Sequence, residues 1–288
     1  MSARRIVVQG LGTRILEEDG GRRGDPIVLI HGVGGWAENW RAVMAPLAAT
    51  GRRVVALDLP GFGESERPKR VRYFGPDDAF YPAFVLATMD ALGIERAHVC
   101  GNSMGGAVAF MTAVTAPSRV SSLVLVAPGG LGRDVGVFLR ACAFPGFGLL
   151  ARIPHRREAA HDVLRTCFHD AGRITPELYD EALRYGDASF PEFVRALAAG
   201  VGIRGVRRHV RDAWIARAAR YSGPMLIVWG REDRVLPVSH LQELRGVLAR
   251  AEVHIIERCG HIAMAEQPDE FLRATIPFLA RAEQAVAA

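Results

Sequence analysis

Six short runs that are apolar almost throughout constrain this chain more than any other feature. They are residues 26–30, 53–57, 97–100, 122–126, 225–229 and 253–256. A strand with one wet face alternates polar and apolar residues, whereas a strand covered on both faces need not. Helix-length segments such as 40–49 and 83–92 lie between the runs, and 270–282 closes the chain as an amphipathic helix. The pattern predicts an α/β fold with a mostly parallel central sheet flanked by helices. Two alternating runs ahead of it, 4–9 and 13–18, separated by Gly10-Leu11-Gly12, predict an N-terminal hairpin.

After Gly132 the rhythm stops. Residues 133–219 read as helical segments only, broken at Pro145-Gly146, Pro154, Pro176 and Pro191. The expected organisation is a core of residues 1–132 and 220–288 with a helical cap, 133–219, inserted over the site. At 288 residues and 49% hydrophobic, the chain can bury a large core. No stretch approaches the ~20 apolar residues of a membrane span, and the first ten residues lack an apolar signal segment. A soluble, cytoplasmic protein is expected. Cys100, Cys142, Cys167 and Cys259 lack metal or redox spacing and are expected to be reduced thiols.

The net charge is +5, yet Lys69 is the only lysine among 36 basic residues. Such an arginine bias fits codon usage in a GC-rich genome better than nucleic-acid binding, because no groove-reading motif accompanies it. The expected partner is a small-molecule substrate; oligomeric state is left open. No phosphate loop, dinucleotide fingerprint or metal-ligand cluster appears, so no cofactor is expected.

The chemistry gathers where the apolar runs end. Gly101-Asn102-Ser103-Met104-Gly105-Gly106 joins one run to a helical segment, giving strand, G-x-S-x-G, helix. Glycines two before and two after the serine let the chain double back with the hydroxyl exposed. Asp233 follows the run at 225–229, and His261 follows the run at 253–256. A serine hydroxyl becomes a useful nucleophile when an imidazole takes its proton, and a buried carboxylate must hold that imidazole in the right tautomer. Ser103, His261 and Asp233 fit those roles in the order serine, acid, histidine. Taken singly, Asp233 can instead cap the helix near Pro237, and His261 can be an ordinary loop histidine. Glu232 is adjacent and is not excluded as the acid by spacing. Asp58, before a Pro-Gly turn, is read as a structural ligand of local amides.

Acyl transfer also needs two donors for the oxyanion. The amide of Met104, next to the nucleophile, is one candidate. Val33 is the other, in the turn His31-Gly32-Val33-Gly34-Gly35, where Gly32 and Gly34 let the backbone approach the substrate. His31 is read as a structural hydrogen-bonder. In the insertion, Val137-Phe138-Leu139 with Phe144, Phe147, Leu149 and Leu150 offers an apolar wall, with Phe138 and Phe144 as substrate-contact candidates. Of the insertion's arginines, those at 152, 156, 157, 204, 207, 208 and 211 are able to bind a substrate carboxylate, but most read as solvated outer-face charges.

Over nearly its whole length the chain resembles the α/β-hydrolase-fold enzymes. The resemblance rests on His31-Gly32-x-Gly34-Gly35, Asp58-Leu59-Pro60-Gly61-Phe62-Gly63-x-Ser65, the Ser103 turn, Gly230-x-x-Asp233 with Pro237, and Gly260-His261. Within that fold, the Ser103 motif and Pro128-Gly129-Gly130-Leu131-Gly132 are similar to the meta-cleavage product hydrolases, which split a carbon–carbon bond in dienoic acids. That resemblance implies a cap-helix arginine beside an aromatic holding the substrate carboxylate, which maps loosely onto Arg184-Tyr185. It also implies a tryptophan after the histidine, where this chain has Ile262.

The sequence therefore predicts a serine hydrolase that attacks an acyl carbon through an acyl-enzyme, foremost a carboxylic-ester hydrolase of small or medium apolar substrates. Carbon–carbon hydrolysis of a dienoate is the alternative. A non-catalytic ligand-binding protein of the same fold, or a lyase, ranks below both.

Overall fold

The computed structural model describes the chain except residues 22, 70, 75–78, 145–156, 247 and 288. Its strands are β1 (Ser2–Val8), β2 (Leu11–Glu18), β3 (Ile27–Ile30), β4 (Val54–Leu57), β5 (Ala97–Asn102), β6 (Val120–Val126), β7 (Val201–Gly202), β8 (Gly205–Val206), β9 (Met225–Gly230) and β10 (Glu252–Ile256). Eight of them form one sheet in the order β1-β2-β4-β3-β5-β6-β9-β10. The pairs β1–β2 and β2–β4 are antiparallel and all the others parallel.

The apolar runs are continuous because their residues serve two cores in alternation. Val28 and Ile30 enter one cluster, while Ile27 and Leu29 enter the other. Leu123 and Leu125 divide from Val124 and Val126 in the same way. The first core is covered by α2 (Phe80–Ala91) and α3 (Met104–Thr115), the second by α1 (Arg41–Ala48) and α10 (Pro268–Ala287). The hairpin is tighter than expected. Val8 pairs with Leu11 around Gln9-Gly10, both at positive φ (50° and 76°), the two-residue turn that matches strand twist.

The inserted stretch carries α4 (Val137–Cys142), α5 (Arg157–Cys167), α6 (Pro176–Gly200) and α7 (Arg208–Ile215), and then α8 (His240–Leu244) and α9 (Ala263–Glu266) follow in the core. Two expectations fail there. The stretch is not purely helical, since β7 and β8 form a small hairpin. Its Gly205 has φ 93°, and a Cβ at that position would stand 2.2 Å from the Arg133 carbonyl oxygen. Nor does Pro191 end a helix: it lies inside the 25-residue α6, while Pro176 opens that helix as its first residue. In the turn before Pro191 the Ala188 carbonyl also takes a hydrogen bond from Arg67 Nη2 at 2.5 Å, a donor outside the helix. The expected breaks at Pro145-Gly146 and Pro154, the wall residues Phe147, Leu149 and Leu150, and Arg152 and Arg156 lie outside the described residues.

Candidate active site

Ser103 sits between β5 and α3 with φ 55° and ψ −120°, a conformation that costs a non-glycine residue roughly 1–3 kcal/mol. Its surroundings leave no cheaper geometry. The Ser103 amide donates to Val126 O (2.9 Å), and its carbonyl accepts from Gly129 N (2.8 Å) and Ala107 N (3.1 Å). A Cβ on Gly101 would lie 2.1 Å from Gly105 O, and one on Gly105 would lie 2.2 Å from Ile30 O. The two motif glycines are thus demanded by backbone meeting backbone. Because Met104 opens α3, its N–H has no partner four residues back within the helix and is free to point at a ligand.

Asp233 and His261 meet at the ends of neighbouring strands. His261 Nδ1 lies 2.7 Å from Asp233 Oδ2, and both residues are buried. Asp233 Oδ1 accepts from the amides of Val235 and Leu236, each at 2.8 Å, so the carboxylate cannot rotate. Trp229 Nε1 donates to Leu236 O at 3.0 Å and ties the same loop to β9. With Nδ1 engaged, Nε2 is the imidazole nitrogen left to exchange a proton. Asn102, beside the serine, donates through Nδ2 to His261 O at 3.0 Å and to Val126 O at 3.2 Å, linking the serine turn to the histidine loop. Nothing in the spacing of the sequence singled out that role for Asn102.

The neighbouring acids are occupied elsewhere. Glu232 Oε2 accepts from Cys259 N (2.9 Å), latching the loop after β9 to the one after β10. Asp58 accepts from Ala37 N (2.7 Å), Glu64 N (2.9 Å) and Arg14 Nη1 (3.2 Å). Burial raises the Asp58 carboxyl's pKa against those partners. The Cys259 thiol is wholly buried, which pushes its pKa far up and keeps it from being a nucleophile at neutral pH.

His31 Nε2 accepts from Leu59 N at 2.9 Å, so the ring proton sits on Nδ1, which donates to Gly32 O at 2.7 Å. Burial drives its pKa down to about 4, leaving a neutral ring that pins the glycine turn. A Cβ on Gly32 would come within 3.0 Å of Ser103 Cβ, and Gly34, at φ 75°, packs against Phe193. The turn therefore lies directly against the serine.

Ser103, Met104 and Val33 line one cavity, whose walls are otherwise apolar: Phe74, Val135, Leu139, Trp214 and Leu236 are among them. Gly129 and Gly130 lie on its floor, and Gly130 abuts Trp214 so closely that a Cβ would stand 2.3 Å from that ring. The inserted stretch contributes Leu139, Ala196, Val206, Val210 and Trp214. Val210 and Trp214, four residues apart on α7, are a signal of periodicity that could have been used; Phe74 carries none.

Phe138, Phe144 and Arg184 do not line this cavity. α4 buries Leu139 (8% exposed) and Cys142, three apart, which turns Phe138 (41%) outward, and Phe144 beyond the helix is 58% exposed. On α6 the buried face runs through Glu181, Tyr185, Ser189, Glu192 and Ala196. Arg184 is exposed, its guanidinium carbon 5.9 Å from the centroid of the Tyr185 ring. Tyr185 itself packs on Trp36 and donates to Glu64 Oε1 at 3.2 Å. Ile262 packs partly buried between the cores.

Among known proteins, the family model described as the alpha/beta hydrolase fold matches residues 25–147. The chain is 32% identical over 267 residues to a 2-hydroxy-6-oxo-6-phenylhexa-2,4-dienoate hydrolase of Comamonas testosteroni, covering 89% of this chain and 88% of that one. The structure of a meta-cleavage product hydrolase variant is similar at TM-score 0.74 and 30% identity, covering 96% of this chain and 98% of the other. That of a membrane phospholipase A, described as a bacterial virulence factor, is similar at TM-score 0.77 and 29% identity, covering 98% and 86%.

Proposed function

The chain belongs to the α/β-hydrolase-fold family and is a hydrolase; within that family we propose a serine esterase that cleaves neutral carboxylic esters with an apolar acyl group. Ser103 Oγ attacks the acyl carbon while His261 takes its proton, and the charge that develops on the carbonyl oxygen is held by the amides of Met104 and Val33. The carbon–oxygen bond then breaks, His261 protonates the departing alcohol, and water repeats the sequence on the acyl-enzyme. Asp233 keeps the imidazole proton on Nδ1 throughout. The insertion acts as the cap that closes the acyl pocket.

The observation that carries this reading is the lining of the cavity at Ser103, which among the described residues includes no charged side chain. Each methylene buried there gains about 0.8 kcal/mol, roughly a fourfold rise in kcat/KM. A carboxylate left there without a partner would cost several kcal/mol. The second reading, hydrolysis of a dienoic ring-cleavage product, is favoured by what the Comamonas relative is named for. It requires a cation for the substrate carboxylate, and the candidate Arg184 is exposed.

The test is a series of p-nitrophenyl esters from acetate to dodecanoate beside a chromogenic dienoate. Expected is a kcat/KM that climbs with chain length, then falls once the cavity is full, with the maximum moved to shorter chains by Leu139→Trp. A dienoate turned over faster than every ester would reverse the ranking.

A further inference from the structure

Glu266, the last residue of α9, is 1% exposed and is surrounded by backbone amides. Its Oε2 accepts from Gly260 N at 2.7 Å and His169 N at 3.1 Å, and its Oε1 accepts from Asp170 N at 2.7 Å. Gly260 immediately precedes His261, whereas His169 and Asp170 belong to the inserted stretch. The carboxylate thus joins the histidine loop to a turn of the insertion, through hydrogen bonds strengthened by its charge.

Two further bonds run between the same partners. The His261 amide donates to Cys167 O at 2.7 Å, and Arg173 Nη1 donates to Glu266 O at 2.9 Å. The contact has no slack: a Cβ on Gly260 would stand 2.5 Å from Cys167 O and 2.8 Å from His169 N. On the opposite side, the His261 carbonyl is held by Asn102. The backbone that carries the imidazole is therefore braced from the serine side by Asn102 and from the insertion side by Cys167 and Glu266.

We infer that Glu266 is a positioning residue that makes the alignment of His261 depend on the seating of the inserted stretch. When the turn at 167–170 is docked, Glu266 has all its donors and His261 its backbone anchor. When the turn lifts, the carboxylate loses two of its three donors and the histidine loop loses its outer brace. Misplacement of a proton-transfer group by about an ångström can cost ~10²-fold in rate. The histidine would then be fully aligned only beneath a closed insertion, which protects the acyl-enzyme step from an open site. This inference rests on the assignment of His261 as the base.

The experiment compares Glu266→Gln and Arg173→Gln with wild type on one ester, reading kcat and KM separately, together with the low-field proton resonance of His261 Nδ1–H. Glutamine keeps the volume but presents an NH2 group to one of the amide donors. Expected for Glu266→Gln is a fall in kcat approaching ~10²-fold, KM nearly unchanged, and a shifted or broadened resonance. Arg173→Gln, half exposed and on the insertion, should lose about 3- to 10-fold in kcat with Arg173→Lys restoring part of it. A folded Glu266→Gln with wild-type kcat and resonance overturns the inference. If that variant fails to fold, Arg173→Gln decides, and a wild-type kcat there overturns it equally. Failure of the His261 assignment has a different signature, namely activity surviving in His261→Ala.

Discussion

On the sheet side of the cavity, the residues around Ser103 are fixed by backbone hydrogen bonds and by glycines with no room to move, whereas the inserted side is attached chiefly through side chains, with backbone bonds such as His261 N to Cys167 O and Gly136 N to Val235 O beside them. Ser103 is held through Val126 O and Gly129 N, and Gly101 and Gly105 meet backbone directly. The insertion is attached through Glu181, which accepts from Trp36 Nε1 at 3.0 Å and pairs with Arg41 at 2.5 Å. It is also attached through Glu192, buried against the Tyr73 hydroxyl, and through the turn that docks on Glu266. Burial raises the Glu192 carboxyl's pKa. Backbone-held geometry resists substitution at any single side chain, which suits a site where small displacements are costly. Side-chain latches can be altered one at a time, which suits the part proposed here to act as the cap.

If that division is right, the largest effects belong to the sheet side. Ser103→Ala and His261→Ala should each lower kcat by at least ~10³-fold, with the double variant little worse than either, because such residues act as a unit. Steady-state kinetics of the three variants would break the comparison if the losses multiplied.

Asp233→Asn should cost about 10³- to 10⁴-fold without loss of fold. The amides of Val235 and Leu236 will hold the asparagine oxygen, turning its NH2 toward His261 Nδ1 and driving the ring proton to Nε2, where it blocks proton abstraction. Glu232→Gln keeps an acceptor for Cys259 N and should stay close to wild-type kcat. The reverse result would move the acid to Glu232.

A smaller effect is expected from His31, read as stability. Its pKa is lowered from the ordinary 6.5 to about 4, so folding favours the neutral ring. The resulting stabilisation is fully present above pH 6.5 and is lost as pH falls through 4; it amounts to ~3 kcal/mol. Urea unfolding at a series of pH values should show that slope in wild type and a flatter one in His31→Gln. Equal slopes would mean that the glycine turn does not depend on a neutral ring.

Much of the sheet side was legible because a strand end, a glycine-flanked turn and a nucleophile each impose backbone requirements that leave few residue choices. The fold, the strained turn at Ser103 and the meeting of Asp233 with His261 at neighbouring strand ends follow from such requirements. The insertion was harder to read because its helices are placed by packing. α4 has six residues, too few for periodicity to distinguish Phe138 from Leu139, and one position separates a cavity wall from solvent. Pro191 gives the signal of a helix end, yet neighbouring contacts carry the helix through it. Glu266 looks like any acid in a helical segment until the turn at 167–170 is seen against it. The hairpin of β7 and β8 has two residues per strand, below the length at which alternation can be seen.

The smallest effect is the one that most sharpens the contrast between the two walls. Arg184 rests on Tyr185 at the surface, a cation–π contact worth about 0.5–1 kcal/mol at an exposed site. Arg184→Met should therefore lower stability slightly and leave kcat/KM for neutral esters within about twofold, since it removes no group from the cavity. On a dienoate the same substitution separates the two readings of the site. If an arginine at this position swings in to hold the substrate carboxylate, removing it leaves a desolvated charge unpaired and should cost about 2–5 kcal/mol, a loss of roughly 30-fold or more confined to that substrate. With Arg184 outside and the cavity apolar, the expected outcome is the same small change for both substrates. A selective loss on the dienoate would mean that the insertion rearranges around its substrate by more than a side-chain rotation, and would move carbon–carbon hydrolysis ahead of ester hydrolysis while leaving the sheet side as described.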